Sequence, residues 1–183
     1  MIIGLSGYAQ SGKDTVAEVL VDNYGFTRVA FADKIREYLY EVNPLVQVVG
    51  FEPIYLREIV NSKGWEQAKK NPYVRKTLQD SGVAARKVFG EDFWIKQALN
   101  NLEYGKNYVI TDVRFINEAN AIWEMPGKIW RVNRPGVTAV NSHSSETQMD
   151  QYPVDHFVNN DGDIKDLWEE VLMLCHHMGF DDV

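Results

Sequence analysis

At 183 residues the chain has the length of one domain with room for a sizeable core. Its 45% hydrophobic and 25% charged residues are ordinary for a globular fold, and a formal net charge of −7, from 26 acidic and 19 basic residues, argues against non-specific binding to nucleic acid. The single cysteine, Cys175, excludes an internal disulfide; no apolar run approaches membrane-spanning length, and an apolar strand opening at Met1 leaves no place for a signal peptide, so a cytoplasmic protein without a membrane partner is expected.

Residues 1–6 form an apolar run and read as a buried strand. A helix is predicted over 12–24, with Val16, Val19, Leu20 and Tyr24 on one face and Gly25 as its stop. Arg28–Ala32 reads as a second strand, after which Asp33 stands as the N-cap of a helix running to about Val42. Asn43-Pro44 breaks that helix, Ile54–Val60 looks helical, and Lys63-Gly64-Trp65 reads as a turn. Asn71-Pro72 restarts a helix with proline at its first position, and Gly82 inside it predicts a close approach by backbone or ligand. Glu91-Asp92 opens a further helix carrying Trp94, Ile95, Ala98, Leu99 and Leu102 on its apolar face.

Tyr108–Asp112 is a third strand ending in a carboxylate, followed by a helix over about 117–124 that Pro126-Gly127 stops. Lys128–Val132 and His156–Asn159 supply two more strands; the polar stretch 134–153 between them, with two prolines, reads as a loop or lid. A last helix spans about 163–178. Strands separated by helices imply an α/β fold with a parallel sheet covered on both faces.

The chemistry centres on Gly7-Tyr8-Ala9-Gln10-Ser11-Gly12-Lys13-Asp14-Thr15. Strand, glycine loop and helix is the setting of a phosphate-binding loop. Glycines at both ends permit the tight bend that turns successive N–H groups inward, and the helix start adds its positive end. Lys13 then reaches the β- and γ-phosphates. The position that normally carries Ser or Thr holds Asp14, with Thr15 next; both are hard oxygen donors suited to Mg²⁺. Asp112, ending an apolar strand, is a second metal-side carboxylate, and Arg114 follows two residues later.

Cations lie along the chain at Lys34, Arg36, Arg57, Arg75, Arg86, Arg114, Arg131 and Arg134. Phosphoryl transfer gathers several negative charges, for which arginine offers planar bidentate donors. Taken singly, Arg36, Arg57 and Arg75 read as solvated surface charges, whereas Arg86, Arg114 and Arg134 stand in motif settings. Asn159-Asn160-Asp161-Gly162 fits either an adenine contact or a helix-capping turn. The histidines, including His176-His177, have no ligand-spaced partners, and no Ser/His/Asp or Cys/His set supports a hydrolase or zinc site.

These residues resemble the deoxynucleoside monophosphate kinases of bacteriophages, within the nucleoside monophosphate kinase group of phosphate-loop proteins. The resemblance spans nearly the whole chain. It rests on Ser11–Thr15, Phe31-Ala32-Asp33-Lys34, and Arg75 through Leu78-Gln79 and Gly82 to Arg86; then Gly90–Trp94, Val109–Arg114 and Arg131–Gly136; and finally His143 with Ser145-Glu146, and Asn159–Gly162. It implies a three-layer P-loop kinase fold with a five-stranded parallel sheet, a helical acceptor-binding region over about 33–95 and a short lid over about 134–153, all in a single domain. It also implies the reaction ATP + dNMP → ADP + dNDP with Mg²⁺. ATP would be held by Gly7, Ala9, Gln10, Ser11, Gly12, Lys13, Asp14, Thr15, Arg131 and Asn160. Mg²⁺ would be held by Asp14, Thr15 and Asp112. The acceptor would meet Asp33, Lys34, Arg36, Arg75, Gln79, Arg86, Trp94 and Arg114. Lys13, Asp112, Arg114 and Arg134 would carry the transfer. Partners would be small nucleotides, with a homodimer left open and the host cytoplasm as location if the chain is phage-encoded. Phosphomevalonate and dephospho-coenzyme A kinases share parts of this pattern, and a non-catalytic nucleotide-binding module is a further alternative.

Overall fold

The computed structural model describes residues 1–48, 50–139 and 147–180. The chain divides into two compact units, Met1–Ala30 with Asn101–Val183, and Phe31–Asn100.

The first unit is built on a five-stranded sheet. Its elements are β1 (Ile2–Ser6), α1 (Lys13–Tyr24) and β2 (Thr27–Val29), followed after the second unit by β5 (Tyr108–Ile110), α6 (Ile116–Glu124), β6 (Lys128–Asn133), β7 (His156–Asn159) and α7 (Ile164–His177). The strand order is β2-β5-β1-β6-β7, and every pairing is parallel. β1 lies at the centre and all five of its residues are buried, as a parallel strand covered on both faces requires. Its alternation separates the two layers. Ile3 and Leu5 enter a core with Val16, Val19 and Leu20 of α1 and Leu167, Val171 and Cys175 of α7. Gly4 faces the other way; a Cβ there would lie 2.7 Å from Ile122 Cδ1 of α6, so glycine is what lets that helix approach. Helix, sheet and helix make the three expected layers.

Helix ends in this unit follow local chemistry. Gly25, with φ 64°, closes α1. Asp163 caps α7 by accepting from the N–H groups of Lys165 and Asp166.

The second unit holds α2 (Phe31–Val42), β3 (Leu45–Val48), β4 (Phe51–Tyr55), α3 (Leu56–Ala68), α4 (Pro72–Phe89) and α5 (Phe93–Leu99). Leu39, Val46, Leu56, Ile59, Val60, Ala68 and Val74 form its own core. Asn71 caps α4 through Tyr73 N–H, with Pro72 at the first helical position as expected. Gly82 is approached by side chains rather than by the expected backbone or ligand: its added Cβ would meet Ile35 Cδ1 of α2 at 3.2 Å, and its carbonyl accepts the Trp94 indole N–H at 3.0 Å.

Three local expectations are corrected. β2 stops at Val29, and Phe31 already begins α2, so Asp33 is not an N-cap but sits in the first helical turn. The stretch 45–55 is an antiparallel hairpin, which moves Ile54 and Tyr55 out of the helix that starts at Leu56. α5 ends at Leu99, short of Leu102. The turn read at Lys63-Gly64-Trp65 survives as a break inside α3, where Gly64 has φ 71° and ψ 164°.

Candidate active site at the strand ends

In a parallel sheet all strands deliver their following loops to one edge. β1 delivers Gly7–Gly12 there. Gly7 has φ 132°, and a Cβ on it would lie 2.4 Å from the Val132 carbonyl oxygen of β6. Gly12, φ 107°, opens α1, and a Cβ on it would lie 2.6 Å from Asn160 Nδ2. Both positions therefore require glycine for conformation and for space. Gln10 at the loop tip also takes a left-handed conformation, φ 66°; such strain in a non-glycine residue collects at functional loops.

The loop is held from three directions. The Tyr8 carbonyl accepts the Ser11 N–H at 3.2 Å and the Lys13 ammonium at 2.7 Å, and the Gly7 carbonyl accepts the same ammonium at 2.8 Å. The buried Asn160 side chain, arriving from the end of β7, donates to the Ser11 carbonyl at 2.9 Å. No side chain caps the start of α1, so the N–H groups of its first turn point at the loop mouth, where an anion would be stabilised. Ser11 Oγ is buried and has no hydrogen-bond partner among the described residues. A phosphate oxygen would supply the missing acceptor, and a buried hydroxyl of this kind within a glycine-edged cradle fits a nucleotide phosphate.

The neighbouring strands add charge at the same edge. β5 pairs with β1 in the register Gly4↔Ile110, and the Val113 N–H donates to the Leu5 carbonyl at 3.1 Å. Asp112 stands one residue before that contact, after the end of β5 on the loop-bearing edge of the sheet. The buried Glu118 carboxylate accepts the backbone N–H groups of Arg114 at 2.7 Å and Phe115 at 3.0 Å, fixing the turn that presents the exposed Arg114. Arg134 follows the end of β6 and is exposed. Asp14 and Thr15 lie in the first turn of α1. Lys13, Asp14, Thr15, Asp112, Arg114, Arg134 and Asn160 are thus delivered to one sheet edge. Among the described residues no three His, Cys, Asp or Glu side chains converge as a metal cage. A magnesium ion on Asp14, Thr15 and Asp112 would complete its shell with phosphate oxygens and water, as this ion commonly does.

Arg131 differs from the exposed arginines. It is 9% exposed within β6; it donates to the Met149 carbonyl and, at 2.8 Å, to the Asp150 carboxylate, and its guanidinium lies 5.5 Å from the centre of the Tyr8 ring. The Asp150 carboxylate, with burial second, raises the pKa of the Tyr8 phenol. Neither Asp150 nor the Tyr8 side chain stands out in the sequence, because partners so far apart along the chain share no motif.

In the second unit, Arg36 pairs with Asp33 at 3.0 Å and Lys34 with Glu37 at 2.7 Å. Arg36 Nε is buried without a hydrogen-bond partner among the described residues. Asp33, Arg36, Glu37, Tyr40, Glu41 and Trp65 line a cavity of about 460 Å³. Arg75, Gln79 and Arg86 fall at helical spacing along α4, in the stripe that includes Gly82, while Trp94 is buried against that glycine. Of the predicted acceptor residues in this unit, Asp33 and Arg36 share the cavity; Lys34, Arg75, Gln79, Arg86 and Trp94 are not among its lining. His143, Ser145, Glu146 and the stretch 140–146 of the predicted lid lie outside the described residues.

A profile of the family described as deoxynucleotide monophosphate kinase matches residues 53–171. A relative from Acanthamoeba polyphaga mimivirus, provisionally named a deoxynucleotide monophosphate kinase, is 29% identical over 171 residues, covering 81% of this chain and 82% of its own. The deoxynucleotide monophosphate kinase of Escherichia phage RB69 is 27% identical over 104 residues, 54% of this chain and 43% of the phage protein. Among solved structures, a dephospho-CoA kinase from Campylobacter jejuni aligns with a TM-score of 0.46 at 13% identity, covering 97% of this chain and 96% of that one. A shikimate kinase from Aquifex aeolicus aligns at 0.45 and 15%, covering 98% of each. The profile match begins at residue 53, well beyond the phosphate loop, so it is independent of that motif, and together with the parallel sheet it shows that the chain belongs to the deoxynucleotide monophosphate kinase family.

Proposed function

We propose that the chain transfers the γ-phosphate of ATP to a 2′-deoxynucleoside 5′-monophosphate through the strand-edge site of the first unit. The observation that carries the donor half is the loop at residues 7–15, in which a buried Ser11 hydroxyl lacks an acceptor and Lys13 bridges two loop carbonyls. Gly7, Ala9, Gln10, Ser11, Gly12, Asp14 and Thr15 would cradle the phosphates through backbone and side chain, with Lys13 between β and γ. Asp14, Thr15 and Asp112 would hold Mg²⁺, which supplies charge neutralisation across the phosphate oxygens.

For the acceptor the proposed ligands are Arg114 and, from the second unit, Asp33, Lys34, Arg36, Arg75, Gln79, Arg86 and Trp94. Arg134, with Arg131 behind it, would meet the transferring group. No general base is required, because the nucleophile is already an anionic phosphate oxygen; positioning and charge complementarity carry the rate. That explains a site rich in arginine and lacking a paired histidine or cysteine. A cytoplasmic location, in an infected host, would fit kinship with viral and phage proteins.

A coupled assay of ADP release, run with ATP against dTMP, dGMP, dCMP, dAMP and their ribose counterparts, tests the reading. ADP release that depends on a deoxynucleoside monophosphate is expected. Inertness toward all of them, with transfer to phosphomevalonate or dephospho-coenzyme A, would reassign the acceptor.

A further inference from the structure

We propose that Asn160 is a positioning residue that acts through the Ser11 carbonyl, holding the Ser11–Gly12 peptide of the phosphate loop in the orientation that receives the triphosphate; this rests on the donor half of the kinase reading. Asn160 directly follows β7 and is 7% exposed. Its backbone N–H donates to the Asn133 carbonyl at the end of β6 at 2.7 Å, and its side-chain Nδ2 donates to the Ser11 carbonyl at 2.9 Å. The residue therefore ties the end of one strand to the loop that leaves another. An amide this well shielded meets little competition from water, so its hydrogen bond holds its geometry. Glycine at position 12 leaves room for it: an added Cβ would lie 2.6 Å from Asn160 Nδ2 and 3.5 Å from its Cγ.

The tethered peptide has little backbone restraint of its own. A trans peptide carries its C=O and N–H on opposite edges, so a donor on the Ser11 oxygen sends the Gly12 N–H away from Asn160. Gly12 is the N-cap of α1, at φ 107°, and its N–H is one of those that a helix start leaves unsatisfied. In this orientation it joins the donors of the anion cradle. A flip of the peptide would put a carbonyl oxygen where that donor stands, against the phosphates. Glycine accepts either sign of φ, so residue 12 does little to prevent the flip. Asn160 supplies the restraint before ATP arrives, and pre-ordering of this kind appears as affinity for the ligand. An adenine contact would use the same amide on the base. With Nδ2 engaged by Ser11, the effect of Asn160 falls on the phosphates and is blind to the base.

The test uses the full chain with Mg²⁺ and two readouts: steady-state kinetics with each substrate varied, and calorimetric titration with the non-transferable β,γ-imido analogues of ATP and GTP and with inorganic tripolyphosphate. Asn160→Ala should weaken all three ligands by the same factor, roughly tenfold, the scale of one buried hydrogen bond. KM for ATP should rise with it while KM for the monophosphate stays within about twofold. Asn160→Asp replaces the donor by an acceptor and should lose at least as much at neutral pH. Its gap from wild type at matched pH should narrow in acid, because the introduced carboxyl, whose pKa burial raises, can donate once protonated. A loss confined to the ATP analogue, with tripolyphosphate unaffected, would assign Asn160 to adenine and overturn the proposal. Unchanged affinity for every ligand, a parallel rise in both KM values, or a gap in Asn160→Asp that ignores pH would overturn it as well. If Asn160→Ala fails to fold, Asn160→Ser decides by the same comparison, since its hydroxyl keeps the site polar but ends one bond short of the amide. Should the wild-type chain bind the triphosphates yet transfer to no deoxynucleoside monophosphate, the acceptor reading fails while the titrations still judge Asn160. A wild-type chain that binds none of the three would overturn the donor reading and this proposal together.

Discussion

Lys13 and Gly12 show how single residues set the site. The Lys13 ammonium bridges the carbonyls of Gly7 and Tyr8 across the loop, at 2.8 and 2.7 Å. In the proposed transfer the same ammonium would face charge that develops on the moving phosphoryl group, and such a contact is worth on the order of several kcal/mol of barrier. Lys13→Ala is therefore expected to lower kcat by about 10³-fold or more while the melting temperature moves little; near-normal turnover would remove the phosphate-loop assignment. Gly12→Ala acts by shape. At φ 107° the new Cβ would sit 2.6 Å from Asn160 Nδ2 and 3.2 Å from Leu167 Cδ2, pushing the amide away from the Ser11 carbonyl it now holds. Backbone strain and the lost contact together should cost about 1–3 kcal/mol of stability and weaken ATP binding; an unchanged melting curve would show that the loop relaxes freely. Asn160 stands out in the sequence, but not for this contact. Its loop suggests an adenine contact or a cap, whereas its side chain reaches back across the fold to the phosphate loop.

At the scale of elements, Asp155 ties three pieces of the first unit together. Its carboxylate accepts from the Trp123 indole of α6 at 2.9 Å, the Lys128 ammonium at 2.9 Å and the Ile129 N–H of β6 at 2.8 Å. Burial pushes its pKa upward, but these donors outweigh burial and the net shift is downward. A carboxyl group held below its unfolded value adds stability above the usual carboxylate range and loses it as pH falls through the folded pKa. With an 18% exposed side chain, Asp155→Asn should cost about 1–2 kcal/mol near neutrality, read as a drop of several degrees in melting temperature. The gap from wild type should close in acid; a gap that stays constant with pH would assign the loss to packing. Elements with strong periodicity, such as α1, α4 and α7, and the buried central strand were readable because a 3.6-residue or continuous apolar pattern overrides local detail. The 45–55 hairpin was not, because Pro44 and Pro53 look like strand breakers; in a two-stranded sheet each strand has an open edge, so Pro53 sits inside β4. The start of α2 was misplaced for a related reason. β2 is a three-residue edge strand, and Ala30, Phe31 and Ala32 carry no signal that separates its end from a helix start.

For the molecule as a whole, a net charge of −7 does not oppose binding of anionic nucleotides, because backbone N–H groups and a few fixed cations set the local potential. What distinguishes one nucleotide from another must come from shape. A 2′-hydroxyl can be refused by an apolar wall around C2′, which discriminates by about 10²-fold at most when nothing else acts. Six aromatic residues qualify from the sequence: Phe31, Tyr38, Tyr40, Phe89, Phe93 and Trp94. The structure divides them. Phe31 and Trp94 are 3% and 6% exposed and belong to packing, and the Tyr40 hydroxyl is bonded to Asn61. Tyr38 and Phe89 are 52% and 67% exposed. They extend a continuous aromatic series, with ring centroids 6.3 Å apart for Tyr38–Trp94, 4.8 Å for Trp94–Phe93 and 5.0 Å for Phe93–Phe89. Exposed rings backed by buried ones are stiff and present an apolar face, as such a wall demands. The expected result is a kcat/KM for deoxynucleoside monophosphates about 10- to 100-fold above that for the matching ribonucleotides. Phe89→Ala should reduce that ratio by improving ribonucleotide use more than it impairs deoxynucleotide use. A ratio near unity in the wild type would defeat the selectivity while leaving phosphoryl transfer intact, and a ratio unmoved by Phe89→Ala would shift the wall away from this aromatic series.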